Sequence, residues 1–574
     1  MIRRRRHEPD EDPIRTEELV RPEPEPWEGN DDGDDGIQDD LPDPDGDAAP
    51  GAASGEGRPT ADGEAPAVRR RGRGAAVKVL AFLGFGAVVT GLVLGAGRIP
   101  GGLDLSDYLG PDVPEPVSVT VTDPRVTETV LSCPGPEQVG LDDPTVQEQR
   151  MVVRVLAGVA PPAALPEELD AGTDGQLTLD LIPDGPSQRE TARDAVLLQD
   201  IEGAEAARIT ATGDLAVGAT GAQWHLSQAA ERRGLTAAPC LPATTESWLL
   251  AGGDEPGRVE RIVLTNPGAN PVTARVQVFG AEGELPAPGG QGVVVPPDGR
   301  RVLLLDALAS GESTPAIRVT STGGPVAAVL GDRWLEGTLD RGLELTVPAA
   351  APAEELLVPA VPVPHDLAAG SAQLRVVVPG ENDAIVQVRA LTGDGPTRVE
   401  HDVTVVDAGS VADIDISDLP EGTQALQVTS DEPVTAAARM ERRSGEDLPS
   451  EMAWVPATEP VTELAGAPVF HHDTVPVRTQ LVLAAIEPAR VEVVTVDAEG
   501  GTTTEEVSVP EASNVTVRVP EEAMSVWVRP VSGAPHAALV AFDVEAEGGT
   551  MLAGFPLQDL PLTRDLLDVR PWLP

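Results

Sequence analysis

From about Val117 onward, apolar and polar residues alternate in short runs separated by Gly, Pro, Asn or Asp. Such period-two runs bounded by turn residues predict half-buried β-strands. The pattern also repeats. Ala316–Trp334 (AIRVTSTGGPVAAVLGDRW) matches Ala207–Trp224 (ARITATGDLAVGATGAQW), and Ala425–Glu441 and Val526–Val544 continue the series. The second strands of these pairs start near Leu215, Pro325, Pro433 and Pro535, at spacings of 110, 108 and 102 residues. An upstream hairpin recurs too, in Arg258–Gly283, Ser371–Gly395 and Arg478–Gly501. Each unit reads as six or seven strands in a domain-sized repeat. That suits an immunoglobulin-like antiparallel β-sandwich better than a solenoid coil; the alternative is a β-propeller built from half-repeats. The first unit is the most divergent, and its stretches around Ser187–Asp200 and Ser227–Gly234 read as helical.

A different pattern precedes the repeats. Ala75–Ala96 (AAVKVLAFLGFGAVVTGLVLGA) is apolar except for Lys78 and Thr90, and about 20 such residues span a bilayer. Arg69, Arg70, Arg71 and Arg73 precede it, whereas only Arg98 closely follows. The positive-inside rule then places the N-terminus in the cytoplasm and the repeats outside it, in the plasma membrane as a single-pass anchor. Lys78 sits one turn inside, where its stem reaches the interface. A cleaved signal peptide would start near residue 1. Residues 7–68 are rich in Asp, Glu, Pro and Gly and are expected to stay disordered. The resulting organisation is an acidic cytoplasmic tail (1–74), a transmembrane helix (75–97), a stalk (98–116), a divergent first β unit (117–246), and three sandwich repeats (247–351, 352–459 and 460–574).

Composition narrows the function. The formal charge is −53, and Lys78 is the only lysine. Nucleic acid is thereby disfavoured, since its phosphates need clustered cations. Cys133 and Cys240 both follow the membrane segment; on the oxidising side such a pair reads as one disulfide. The chain-entropy account credits a loop of that span with roughly 4–5 kcal/mol.

Catalytic signatures are missing: there is no His-Glu-x-x-His helix, nucleophile elbow or phosphate loop. In His471-His472-Asp473, neighbouring strand residues face opposite ways, so a metal site is not expected, and no cofactor is. Trp224 and Trp334 hold equivalent places in two repeats and read as core plugs. Covalent wall attachment is not expected either: Leu241-Pro242-Ala243-Thr244-Thr245 is an incomplete, internal sortase-like signal, and no hydrophobic tail precedes Pro574.

The anchor, Trp248-Leu249-Leu250-Ala251-Gly252-Gly253 and the hairpin Leu264-Thr265-Asn266-Pro267-Gly268 together resemble a domain-of-unknown-function family of membrane-anchored envelope proteins from high-GC Gram-positive bacteria, from about Val117 to the C-terminus. The resemblance implies an outward-facing protein without assigned activity and carries over no functional residues. The reading that follows is a non-enzymatic scaffold or binding protein. Its tandem sandwiches hold a binding surface away from the membrane and engage other envelope proteins or cell-wall polymer. The alternative is a wall-active enzyme, or its accessory subunit, with a site in the first unit.

Overall fold

The structure, a computed structural model, describes residues 125–564 apart from 137–150, 168, 170–171, 202, 204, 228–233, 362–370, 421, 444–447, 473–474 and 544–550. The acidic tail, the segment Ala75–Ala96 with its flanking arginines, and the stalk lie outside these residues. Among the described residues no helix is long and apolar enough to cross a membrane. The described residues belong to one compact unit, Pro114–Pro574, which is mainly β with all named strand pairs antiparallel.

The first repeat contains β1 (Glu128–Cys133), β2 (Met151–Val159), β3 (Gly175–Ile182), β4 (Ser187–Glu190), β5 (Leu197–Asp200), β6 (Ala206–Gly213), β7 (Ala219–Ser227) and β8 (Gly234–Pro239). They form two sheets, ordered β1-β6-β3-β4 and β5-β2-β7-β8. Leu131, Val155, Leu177, Leu179, Ile209 and Leu215 fill the space between them. The alternating faces of these strands supply that filling, because successive side chains point to opposite sides.

The second repeat runs β9 (Glu246–Leu250), β10 (Arg258–Asn266), β11 (Val272–Gly280), β12 (Gly283–Leu285), β13 (Val293–Val295), β14 (Gly299–Leu304), β15 (Ala316–Thr322), β16 (Ala327–Glu336) and β17 (Leu339–Thr346). The third runs β18 (Ala353–Val358), β19 (Ala372–Val377), β20 (Ala384–Thr392), β21 (Gly395–Val406), β22 (Val411–Asp415), β23 (Ala425–Arg443) and β24 (Ser450–Pro456). The fourth runs β25 (Ala465–Pro468), β26 (Val477–Ala485), β27 (Ala489–Asp497), β28 (Thr502–Val509), β29 (Ser513–Arg518), β30 (Ala523–Ser532), β31 (His536–Asp543) and β32 (Leu552–Pro556).

All four repeats share one topology. The fourth pairs as β25-β30-β27-β28 and β29-β26-β31-β32, position for position as in the first. In the second, the fourth strand is split into β12 and β13, both on β11. In the third, the sixth and seventh strands are fused in β23, whose first half pairs with β18 and β20 and whose second half pairs with β19 and β24. Each unit therefore has eight strand positions, not six or seven. The extra position is the last strand, whose near-continuous burial hides the alternation that marks the others.

The first unit has no helix at Ser187–Asp200. Ser187–Glu190 and Leu197–Asp200 are edge strands on β3 and β2. Their polar residues face outward, and the tertiary ladder overrides their weak local strand signal. Ser227 ends β7 and Gly234 opens β8, while the residues between lie outside those described.

The repeats are not an open string, and they are not a propeller of half-units. The last strands β8, β17, β24 and β32 each pack against those of the two neighbouring units, with β32 returning to β8, so the four units close a ring. Shared apolar clusters seal the junctions between the first and fourth units, third and fourth, second and third, and first and second. The two ends of the described chain also meet, since Arg125 bridges Thr563 and Val126 donates to the Leu562 carbonyl at 3.1 Å. The driving force is burial: β8, β24 and β32 are buried on both faces and mostly apolar, which a unit exposing its last strand to water could not satisfy.

Candidate functional site

A proline closes or shortly follows the last strand of every unit, at Pro239, Pro348, Pro456 and Pro556. Proline has no N–H to extend a ladder, so each chain leaves its sheet there. In the first three units the exit segment then bridges back to the unit's own first strand, through Ser132–Leu241, Trp248–Ala349 and Leu357–Thr458. Cys133 and Cys240 are joined beside the first of these bridges, across a sequence separation of 107 residues. The disulfide thus reinforces a closure that the other two units make with backbone alone.

Because the last strands stand together at the centre of the ring, their exits converge. They enclose a pocket of about 590 Å³ lined by Leu241–Pro242, Thr244, Glu246–Trp248, Ala328, Pro348–Pro352, Ala457–Glu459 and Pro556–Asp559. Its walls are mostly Pro, Ala and Leu, and its charges are Glu246, Glu459 and Asp559. The backbone of these segments is fixed. Thr244 and Val326 exchange two hydrogen bonds, and Ala350 donates to the Ala457 carbonyl at 2.8 Å. Asp559 accepts from the backbone N–H of Thr462 and Glu463 at 2.9 and 3.0 Å and from the Thr462 hydroxyl. Thr458 meets His536 Nδ1 at 2.9 Å; burial pushes that imidazole down to about 4, so it is neutral near pH 7. Size, apolar walls and a few fixed polar groups are the marks of a ligand pocket.

The same last strands carry buried carboxyl groups. Glu451 of β24 accepts the backbone N–H of Leu235 in β8 at 3.0 Å and of Leu343 in β17 at 3.2 Å. Glu344 of β17 accepts the Thr236 hydroxyl of β8 at 2.6 Å. Burial raises Glu344 to about 8 and Glu451 well above the usual carboxyl range. At Gly342, φ is +127° and a Cβ would come within 2.6 Å of the Met452 nitrogen, so glycine lets β17 pass this close to β24.

The junction between the second and third units is built on arginines. Arg258 pairs with Asp332, which also accepts Trp454 Nε1–H at 2.9 Å. Arg375 of β19 donates to the carbonyls of Ala251, Gly252, Pro315 and Ser313 and forks onto Asp413. Its guanidinium lies over the Trp454 ring at 5.0 Å.

Trp224 and Trp334 occupy matching register positions, opposite Arg154 and Arg258. Trp224 is fully buried and stacks on Phe470, with Phe555 edge-on, at the junction of the first and fourth units. Trp334 lies beneath Arg258 and Arg439. Both are junction plugs rather than exposed platforms. His471 Nε2 meets the Ala523 carbonyl at 2.8 Å, His472 sits beside Phe470, and Asp473 lies outside the described residues. Among the described residues no group of three or more His, Cys, Asp or Glu side chains is placed to hold a metal ion. Arg69, Arg70, Arg71, Arg73 and Lys78 lie outside them too. Sequence reasoning missed the axial pocket. Its one linear signal was the proline that ends each buried, non-alternating run.

No curated protein matches the chain. Among solved structures, the tetra-tandem repeat in the extending region of a large adhesion protein aligns at 13% identity over 71% of this chain and 99% of that one. Its TM-score is 0.09, so that likeness carries no argument about fold or function. Residues 196–520, more than half of the chain, match a family of unknown function, and the protein is therefore a member of the DUF5719 family.

Proposed function

We propose that this protein is a non-enzymatic binding or scaffold protein of a bacterial cell envelope, held in the plasma membrane by Ala75–Ala96, with its four-unit ring outside the cytoplasm. Its partners are other envelope proteins or wall polymer. One observation carries the reading: the exits of all four units meet around a single pocket of about 590 Å³ with mostly apolar walls. A ring sealed by four apolar junctions is a rigid mount for such a pocket. An enzymatic site in the first unit would be set apart by its fold, and that unit has the same strand order as the fourth.

The test is capture from intact membranes by the full chain and by an Ala351→Trp variant that places an indole at the pocket's edge. The expected result is an envelope component recovered with the wild type and lost with the variant. Equal recovery by both, or none by either, would sink the reading. Orientation is checked separately with single cysteines at Glu381 and Asp31 in whole cells. An impermeant maleimide should label the first and spare the second.

A further inference from the structure

We infer that the axial pocket takes a basic peptide segment, one lysine or arginine flanked by small apolar residues. The inference rests on the pocket being the binding site put forward above and names the chemistry of its occupant. Size comes first. About 590 Å³ accommodates a few residues of extended chain and excludes a folded domain.

Charge decides the rest. Carboxylates of Glu246, Glu459 and Asp559 line the pocket, and no Lys, Arg or His side chain does. Arg318 balances Glu246 at 2.9 Å from outside the wall. Asp559 is held by two backbone N–H groups and a hydroxyl, none of which carries a charge. Glu459 stands at the exposed rim. Glu459 and Asp559 thus give the pocket lining negative charge with no countercharge among its residues. An acidic polymer would be repelled, and an uncharged one would leave both carboxylates unmatched. The aliphatic stem of a basic side chain can lie along Leu241, Ala350 and Leu557 while its cationic head reaches the carboxylates.

The experiment is fluorescence anisotropy of the full chain with three dye-labelled pentapeptides, Ala-Pro-Xaa-Ala-Pro, where Xaa is lysine, norleucine or glutamate. The lysine peptide should bind about tenfold more tightly than the norleucine peptide, which matches its stem without the charge, and the glutamate peptide should bind least. High salt should erase the lysine preference, because both carboxylates are partly solvated. Glu459→Gln, at an exposed position, should cut lysine-peptide affinity about three- to tenfold and leave norleucine-peptide affinity unchanged. Ala351→Trp should abolish binding of both. If the norleucine or glutamate peptide binds as well as the lysine peptide, the charge inference fails while the pocket stands. If no peptide binds, the inference also fails, and capture from membranes still judges the pocket. If Ala351→Trp leaves lysine-peptide binding intact, the binding lies elsewhere and both readings fall.

Discussion

Glu451, in the last strand of the third unit, accepts the backbone N–H of Leu235, in the last strand of the first, at 3.0 Å. Its other carboxyl oxygen takes Leu343 N–H of the second unit. One side chain thereby satisfies backbone donors of two other units at the centre of the ring. Removing it leaves one buried and one half-buried N–H group without this acceptor, at about 1–3 kcal/mol each. Glu451→Ala should therefore lower the free energy of unfolding by about 2–5 kcal/mol. Glu451→Gln, which keeps one acceptor, should fall between. A change below about 0.5 kcal/mol in denaturant titrations would show that the ring does not depend on this contact.

Stability should decline as pH rises from about 4.5 to about 8. Burial raises Glu344 to about 8, above its ordinary 4.5, so the folded state holds a proton that the unfolded chain releases. Its contribution is full below 4.5 and is lost as pH rises through about 8. His225 and His536 act in the opposite direction. Both are pushed down to about 4, so their contribution is present above 6.5 and lost as pH falls through about 4. Glu344→Gln should remove the fall between pH 4.5 and about 8 from a plot of Tm against pH and leave the histidine-driven loss towards pH 4 in place. A slope between pH 6.5 and about 8 identical to the wild type's would refute the assignment.

Arg375 should be intolerant of lysine. Its planar fork reaches Asp413 twice and four carbonyls of the neighbouring unit, a geometry that a single ammonium cannot reproduce. Arg375→Ala leaves those acceptors buried and should cost about 3–5 kcal/mol, with Arg375→Lys recovering less than half. Thermal unfolding followed by tryptophan fluorescence reads this directly, since Trp454 lies under the guanidinium.

Trp224→Ala should open the ring at its closing junction. The ring systems of Phe470 and Phe555 would lose their partner, with a cost of about 3–5 kcal/mol typical of a buried aromatic. Proteolysis should then cut near Pro460, where the fourth unit begins, before the other junctions open. Uniform cleavage across all units would argue that this junction is no weaker than the rest.

The repeat and its strands were legible in the sequence because each unit keeps an alternating hairpin at nearly constant spacing. Ser187–Asp200 reads as helical in sequence because its strands are short, polar and at sheet edges, where only the ladders to β3 and β2 define them. The last strand of each unit was hidden for the opposite reason. GLTAAP and LAGFP carry no alternation because both faces are buried, and a short apolar run does not say what buries it.

The equivalence of Trp224 and Trp334 could likewise be read from spacing, but not that each seals a junction, since their partners lie in other units or across strands. Local features were encoded in the chain directly: strand, turn, the domain-sized period and the pairing of the only two cysteines. The order in which the units close, the three-unit contact at Glu451 and the pocket at the proline exits come from the tertiary structure alone. They arise from residues more than a hundred positions apart, brought together because the apolar last strands find burial only against one another.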